Sequence, residues 1–201
     1  IARMDADDIA LPTRFEKEIR VLNEKKIDMV GTGKVLINEQ GDIISEYKRC
    51  VTEDVVIKKI LPYSSCFIHP SIMIRTEILK AVDGYRNFRQ SQDYDLWLRL
   101  LSCNYTFANI DEPLIKYRVR ENGISCKRPY LQYKTSKYQS NLYKERTKRK
   151  QDSFSEDNFK KYLEKYNALS ETKNRKYMKS LLILDEGIGK MKTHRISGFI
   201  C

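Results

Sequence analysis

The chain has 201 residues, of which 41% are hydrophobic and 32% charged, and its formal net charge is +11. This composition is typical of one globular domain with a real core and room for a helical appendage. No apolar run approaches the roughly 20 residues that a membrane-spanning helix needs, and no secretory leader is visible. The five cysteines are widely spaced and include no CxxC pair. These features argue against a disulfide framework or a zinc knuckle and predict a cytoplasmic protein.

The basic charge is concentrated in the second part of the chain. Residues 1–120 carry 19 Lys and Arg against 18 Asp and Glu, whereas residues 121–201 carry 19 against 9. Such an excess concerns what the tail touches rather than the fold. The tail is expected to lie on an anionic membrane surface, to be a solvated helical face, or to dock a partner. No recognised motif favours nucleic acid.

The chain opens with an apolar lead-in and then three carboxylates within four positions, Asp5, Asp7 and Asp8. Like charges of this kind are not buried together without a compensating cation. The pattern predicts the end of a buried strand that opens into a site for a hard divalent cation, Mg²⁺ or Mn²⁺. The alternative is an acidic turn in which Asp8 caps the next helix.

Local patterns predict the remaining elements. Phe15, Ile19 and Leu22 have the spacing of the apolar face of an amphipathic helix that begins near Pro12. The later elements, in chain order, are a strand over 28–32, a hairpin with arms at 35–38 and 42–47, a helix from an N-cap at Thr52 to about 61, strand-like segments at 66–68 and 71–74, a helix over 76–81, a helix opening at 91–95, strands over 105–110 and 114–117, and about three basic helices from 128 onward.

The helix that opens at residues 91–95 carries two carboxylates, Asp93 and Asp95. These two residues cannot face one side of a regular helix. Trp97 has helical spacing with Leu100 and Leu101 and is expected in the core, with sugar stacking as the alternative.

Four segments in order resemble the inverting glycosyltransferases of family two, which have the GT-A fold. Their residues are Ala2–Ile9, with the DxD motif, together with Leu11–Glu16; His69–Arg75; Gly84–Arg86 together with Gln92–Arg99; and Pro113–Ser125. The resemblance implies an α/β fold, a partial GT-A (Rossmann-like) mixed sheet that lacks its N-terminal nucleotide-binding unit, over residues 1–126. A basic helical extension over 127–201 would follow. Since the chain starts at Ile1 without an initiator Met, we expect it to be the C-terminal portion of a longer protein.

The resemblance implies that a sugar moves from a nucleotide-sugar donor to an acceptor hydroxyl, with inversion, in cell-surface polysaccharide synthesis. The acceptor would be a sugar or a lipid-linked sugar. Asp5 and Asp7 would hold Mn²⁺ or Mg²⁺, and Asp93 would act as general base, which is worth roughly 10²–10⁴ in rate. The structural alternative for Asp93 is a carboxylate that complements the helix dipole.

Further substrate-binding candidates follow from the same segments. Their residues are Arg3, Asp5, His69, Gln92, Arg118 and Arg120. His69 is equally compatible with a packed structural role, and Arg118 and Arg120 with a solvated charged face. Many relatives have His where this chain has Arg120 and an acid where it has Gln92. Arg cannot coordinate a cation but pairs well with phosphate.

Two other functions fit the sequence. The chain would be an inactive remnant if the missing nucleotide-binding unit disables it. It would be a basic interaction module for membrane or nucleic acid if the acidic motif is incidental.

Overall fold

The computed structural model describes residues 1–45, 47, 49–88, 90–119 and 128–197, with only the helical backbone given over 185–197. Its elements in chain order are β1 (Ile9–Ala10), α1 (Arg14–Glu24), β2 (Met29–Ile37), α2 (Asp54–Ile60), a 3₁₀ turn (His69–Ser71), β3 (Met73–Ile74), α3 (Thr76–Ala81), α4 (Gln92–Ser102), β4 (Phe107–Arg118), α5 (Pro129–Arg149), α6 (Glu156–Lys165) and α7 (Glu171–Ser197).

The four strands form one mixed sheet in the order β1-β4-β2-β3. Strands β2 and β4 are parallel, whereas β1 and β3 pair antiparallel with their neighbours. The opening residues 1–3 extend the sheet beyond β3 through an antiparallel bridge between Ala2 and Met73. They therefore run in the same direction as β2 and β4. The predicted α/β class with a mixed sheet is confirmed, whereas the GT-A fold stays a prediction.

Helices cover both faces of this sheet. On one face, Trp97 of α4 is fully buried with Met29 and Phe107 of the parallel strands. On the other face, Leu22 of α1 packs with Val30 and its neighbours. The prediction that Trp97 belongs to the core is confirmed.

The buried face of α1 differs from the predicted one. Phe15 and Ile19 are 48% and 50% exposed, whereas Arg14 and Glu18 are fully buried beside Leu22. Arg14 Nε donates to Glu18 Oε1 at 3.0 Å, so each side chain has a polar partner inside the protein. The apolar face predicted for α1 is therefore wrong except at Leu22.

Two predicted helix caps are also wrong. Asp8 does not cap α1, because α1 begins after Thr13 and the Asp8 side chain bonds elsewhere. Helix α2 begins one residue later than predicted, with Glu53 rather than Thr52 at the N-cap. The predicted helix over 76–81 is confirmed.

The strand predictions are confirmed in part. Strand β2 extends the predicted strand to Ile37, which bridges to Ile43 in the predicted hairpin. The hairpin turn uses Gly41 at φ 97°, a conformation that glycine adopts without strain. The two strands predicted around Pro113 are one strand, β4, with a register shift opposite Gly33. Segment 66–68 is not a strand.

Over the described residues 128–197 of the basic tail there are three helices, as predicted. An aromatic cluster joins α5 and α6 to the loop before α4, through Phe88, Tyr138, Leu142 and Phe159. Among the residues that the structure describes, no helix is long and apolar enough to cross a membrane.

Candidate functional site

The acidic turn, residues 5–8, lies at the carboxyl edge of the two parallel strands. The opening segment runs with β2 and β4, and the Asp8 N–H donates to the Asp5 carbonyl at 3.2 Å to close a tight turn. The chain then enters β1, which pairs with the end of β4 through Ile9 and Lys116. Ligands of open α/β sheets bind outside the carboxyl ends of the strands. The turn is therefore where such a ligand would lie.

Arg3 and Asp5 form an ion pair at the start of this turn. Arg3 Nη2 lies 2.5 Å from Asp5 Oδ1, and the two side chains are 35% and 37% exposed. The buried Arg14 guanidinium donates to the Arg3 carbonyl at 2.8 Å. Because Arg14 is itself held by Glu18, the helix fixes the backbone that leads into the turn. Sequence reasoning assigned no role to Arg14.

Asp8 ties the turn to the end of β4. Its Oδ1 accepts the Arg118 backbone N–H at 2.8 Å. Burial raises the pKa of Asp8 above its ordinary value, and the Asp5 and Asp7 carboxylates raise it further. Its Oδ2 is buried and has no hydrogen-bond partner among the described residues. Asp8 therefore anchors the acidic turn to the end of β4.

The Arg118 side chain holds the acidic turn against the hairpin. Its Nε donates to the Asp7 carbonyl at 2.9 Å, and its Nη1 donates to the carbonyls of Asn38 and Glu39 at 2.7 Å each. These bonds give Arg118 a positioning role, and its predicted contact with phosphate stays a prediction. The prediction for Arg120 lies outside the described residues.

The other side of the site is the N-terminus of α4. A short turn joins the C-terminus of α4 to the start of β4, so the helix runs antiparallel to that strand. Its N-terminus therefore lies at the same carboxyl edge of β2 and β4. Asp93 is the second residue of α4 and is half-buried, whereas Gln92, the first, is exposed. Ser91, before them, has φ 54°.

His69 connects the two sides electrostatically. Its Nε2 lies 2.9 Å from the Tyr85 hydroxyl, and its ring packs edge-on against Trp97. Burial lowers the pKa of His69, while Asp93 raises it, Arg3 lowers it and Asp5 raises it. All three charges therefore lie within electrostatic reach of one imidazole ring. The acidic turn and the start of α4 are brought together, although Asp5 and Asp93 are far apart in the sequence.

Tyr85 is a further site residue to which sequence reasoning gave no role. Burial raises the pKa of its hydroxyl, Arg3 opposes this shift and Asp93 adds to it. The only sequence signal was its place in the segment Gly84-Tyr85-Arg86, which carried part of the resemblance. We call the group Arg3, Asp5, His69, Tyr85 and Asp93 the reactive edge.

The donor set fits a hard divalent cation. Asp5 and Asp7 offer oxygen ligands on a tight turn, with the unpartnered Asp8 Oδ2 behind them. In the described part of the chain, no three His, Cys, Asp or Glu side chains are grouped to hold a metal ion. Mg²⁺ is commonly bound by one or two carboxylates, with substrate phosphates and waters completing its shell. Two carboxylate ligands are compatible with that mode of binding, and metal binding by Asp5 and Asp7 stays a prediction.

A second set of charges lies behind α4, and we call it the buried network. Asp95 is fully buried and its Oδ2 accepts from Arg99 Nε at 2.9 Å. Arg86 lies 3.8 Å from Asp95 and donates to Asp152 at 2.9 Å. Arg146 of α5 also donates to Asp152. Although burial raises the pKa of Asp152, the hydrogen bonds from Arg86 and Arg146 hold it below its ordinary value. The network fastens the tail helices to the helix that carries Asp93.

Comparisons with known proteins relate this chain to proteins named as glycosyltransferases, although no family model matches it. It is 42% identical over 125 residues to the O-antigen biosynthesis glycosyltransferase WbnJ of Escherichia coli. This match covers 61% of this chain and 48% of that protein. It is 39% identical over 128 residues to an uncharacterized glycosyltransferase of Methanocaldococcus jannaschii, covering 62% and 44%.

A third relative extends the match into the tail. The chain is 29% identical over 155 residues to the amylovoran biosynthesis glycosyltransferase AmsE of Erwinia amylovora, covering 77% of this chain and 56% of that protein. The chain thus spans about half the length of these curated relatives. Its homologues are glycosyltransferases by name.

Proposed function

We propose that this chain is the metal-binding and catalytic part of an inverting, metal-dependent glycosyltransferase of family two, with the GT-A fold and of hexosyltransferase type. It would move a sugar from a nucleotide-sugar to an acceptor hydroxyl in cell-surface polysaccharide synthesis. The observation that supports the proposal is that the acidic turn and the N-terminus of α4 both lie at the carboxyl edge of the sheet, with the charges of Asp5 and Asp93 each raising the pKa of His69. The names of the relatives, which include O-antigen and amylovoran biosynthesis, support the class of product.

The chemistry needs a proton acceptor and a site for the leaving group. Asp93 takes the proton of the acceptor hydroxyl while that oxygen bonds to the anomeric carbon, and the bond from this carbon to the diphosphate oxygen breaks. His69, held by Tyr85, would hydrogen-bond a sugar hydroxyl. Its lowered pKa keeps the ring neutral, so it can both donate and accept.

Asp5 and Asp7 would hold the Mn²⁺ or Mg²⁺, which supplies charge neutralisation for the departing diphosphate when bound. Arg3 adds a cation beside Asp5. Arg118 holds the turn in the shape that presents these two carboxylates.

The test is a transfer assay on the chain extended by the reading frame upstream of Ile1, which we expect to encode the nucleotide-binding unit. Release of nucleoside diphosphate is measured over a panel of UDP-, GDP- and dTDP-sugars with Mn²⁺ or Mg²⁺. Asp93→Asn is expected to lower the rate by roughly 10²–10⁴-fold. The matched control is Asp83→Asn, because Asp83 is exposed and its φ of 59° suits Asn.

Each outcome discriminates between the readings. A wild-type rate in Asp93→Asn would show that Asp93 is not the base. Release that survives removal of divalent cations, or that Asp7→Asn leaves unchanged, would contradict the metal role. No release with any donor would favour the inactive remnant.

A further inference from the structure

A cavity of about 610 Å³ lies between the loop before α4 and the helices α5 and α6. Its volume falls within the roughly 300–1,000 Å³ of small-molecule sites. Leu131, Phe159 and Ala168 form a buried apolar floor, and Asn87 and Gln90 contribute amides from the loop. The reactive edge is lined by other residues, so this cavity is a separate feature.

The charge of the lining distinguishes this cavity from the rest of the tail. Residues 121–201 have a large excess of basic residues, yet the cavity is lined by Glu156, Asp157 and Glu164 against one lysine, Lys160. Carboxylates repel phosphate and nucleotide groups but make strong hydrogen bonds to hydroxyls. A neutral ligand rich in hydroxyl groups is therefore favoured over an anionic one.

A polar atom in the wall has its hydrogen-bonding capacity unused. The side-chain oxygen of Gln90 is buried and has no hydrogen-bond partner among the described residues. That oxygen has almost no accessible surface, so a ligand hydroxyl would reach it once the Gln90 side chain rotates toward the cavity, and the new bond would offset the cost of about 1–3 kcal/mol for an unpaired acceptor. Amides, carboxylates and an apolar floor together provide the mixed surface that a sugar ring, with its hydroxyl edge and C–H face, requires.

The position of the cavity links it to the proposed reaction. Gln90 and Asp93 are three residues apart, so their Cα atoms lie within about 11 Å of each other. The same loop carries Tyr85 of the reactive edge and Asn87 of the cavity wall. The cavity wall and the reactive edge thus share one loop, and a chain of sugar units long enough to bridge them would contact both.

Resting on the function proposed above, we infer that this cavity is a subsite for a neutral sugar unit of the acceptor, one that lies beyond the unit bearing the reacting hydroxyl. The tail helices α5 and α6 would then contribute to acceptor recognition. The subsite would select uncharged glycan over phosphorylated glycan.

The test is a ¹H–¹⁵N NMR titration of the full chain with methyl glycosides of glucose, galactose, N-acetylglucosamine and rhamnose. At tens of millimolar ligand, a range suited to dissociation constants near 1 mM, at least one glycoside is expected to shift the side-chain amide signals of Asn87 and Gln90. Glucose 1-phosphate is expected to bind at least severalfold more weakly than methyl glucoside if glucose is the unit bound. If another glycoside binds, its own 1-phosphate serves as the anionic comparison.

Two variants test the location. Leu163→Trp fills the cavity and is expected to abolish the shifts, whereas Lys161→Trp adds the same ring at an exposed position of α6 outside the lining and is expected to preserve them. Gln90→Leu removes the amide at nearly constant volume and is expected to weaken binding about five- to tenfold.

The result that overturns the subsite is the absence of shifts at Asn87 and Gln90 with every glycoside, or shifts that survive in Leu163→Trp. Stronger binding of the phosphorylated sugar would overturn the charge argument. The titration uses neither donor nor metal ion. Its failure would therefore leave the transfer reaction standing, and a failed transfer assay with retained glycoside shifts would remove the reaction and leave a sugar-binding cavity.

Discussion

The reactive edge and the buried network lie on opposite sides of α4, and they use the same residue types differently. Asp93 and Asp95 are two positions apart, about 200° around the helix. Asp93 is half-buried and faces His69, whereas Asp95 is fully buried and paired with Arg99. Charges on the reactive edge stay partly exposed, so a ligand can reach them. Charges in the buried network are neutralised by neighbouring charges, so they stabilise the packing of α4 against the tail helices.

The difference means that substitutions on the two sides should separate activity from stability. A carboxylate that a ligand needs can lose its charge with little effect on folding, because water still solvates it. A carboxylate that neutralises a buried arginine cannot, because its loss leaves an uncompensated cation in a dry interior. The predictions below test this contrast from the largest expected effect to the smallest.

The largest effect on stability is expected for Asp95→Asn. The neutral amide leaves the Arg99 guanidinium, which is 7% exposed, without a counter-charge, so the free energy of unfolding should fall by about 3–5 kcal/mol. Asp93→Asn is the matched control and should change it by about 0.5 kcal/mol or less. Denaturant unfolding of both variants measures this. Equal losses in the two variants would contradict the division between the two sides of α4.

The buried pair under α1 should make stability depend on pH. Burial raises the pKa of Glu18 from 4.5 to about 7, against the opposing effect of Arg14. The folded state therefore keeps a proton that the unfolded chain releases, and this stabilisation is complete below pH 4.5 and lost as the pH rises to about 7. Over that range the free energy of unfolding should fall by up to about 3 kcal/mol relative to Glu18→Gln.

The control for this pH dependence is Glu16→Gln on the same helix. Glu16 is 67% exposed and pairs with Arg20 at the surface, so the variant should keep the wild-type slope. Unfolding curves at several pH values provide the measurement. A wild-type slope in Glu18→Gln would assign the pH dependence to another group.

The sequence predicted most of the fold because the elements have strong local signals. The helix over 76–81 and the three tail helices follow from apolar spacing and turn residues. It failed at α1, where Phe15 and Ile19 are exposed and Arg14 and Glu18 are buried. Hydrophobic spacing alone cannot identify a buried ion pair, since the pair becomes favourable only when tertiary contacts surround both charges.

The predicted site residues were grouped for a different reason, and their roles stay predictions. Segments remote in sequence were assigned to one pocket through the resemblance, and the structure brings Arg3, Asp5, His69 and Asp93 together. The hydrogen bonds of Arg118 to three carbonyls were not predictable. They depend on the tertiary contact between the hairpin and the acidic turn, which no local sequence pattern predicts.

A smaller loss of stability is expected when the buried network is cut at its outer end. Asp152 accepts from Arg86 of the loop, whose side chain is 26% exposed, and from Arg146 of α5, which is 9% exposed but also donates to the Ser102 hydroxyl. Asp152→Asn should therefore lower the free energy of unfolding by about 2 kcal/mol, less than Asp95→Asn. Glu171→Gln, an exposed carboxylate at the start of α7, is the control. A loss as large as that of Asp95→Asn would mean that the network acts as one unit rather than as a graded chain.

The smallest effects per residue are expected on α7, a third charged surface that is neither reactive nor buried. Arg175, Lys176 and Lys179 are exposed, and the apolar residues 182–184 just beyond them are about 60% exposed. We propose that this segment contacts an anionic membrane surface, where each basic side chain contributes about 1 kcal/mol.

The affinity for phosphatidylserine vesicles, measured by cosedimentation, should weaken by that amount for each of these three residues changed to Gln. It should also weaken as the salt concentration rises. The control variant carries three exposed lysines of the sheet half changed to Gln, at Lys25, Lys26 and Lys80. Equal losses in the two triple variants would show that net charge alone drives the binding, because the three cations of α7 lie beside exposed apolar side chains that can enter the interface.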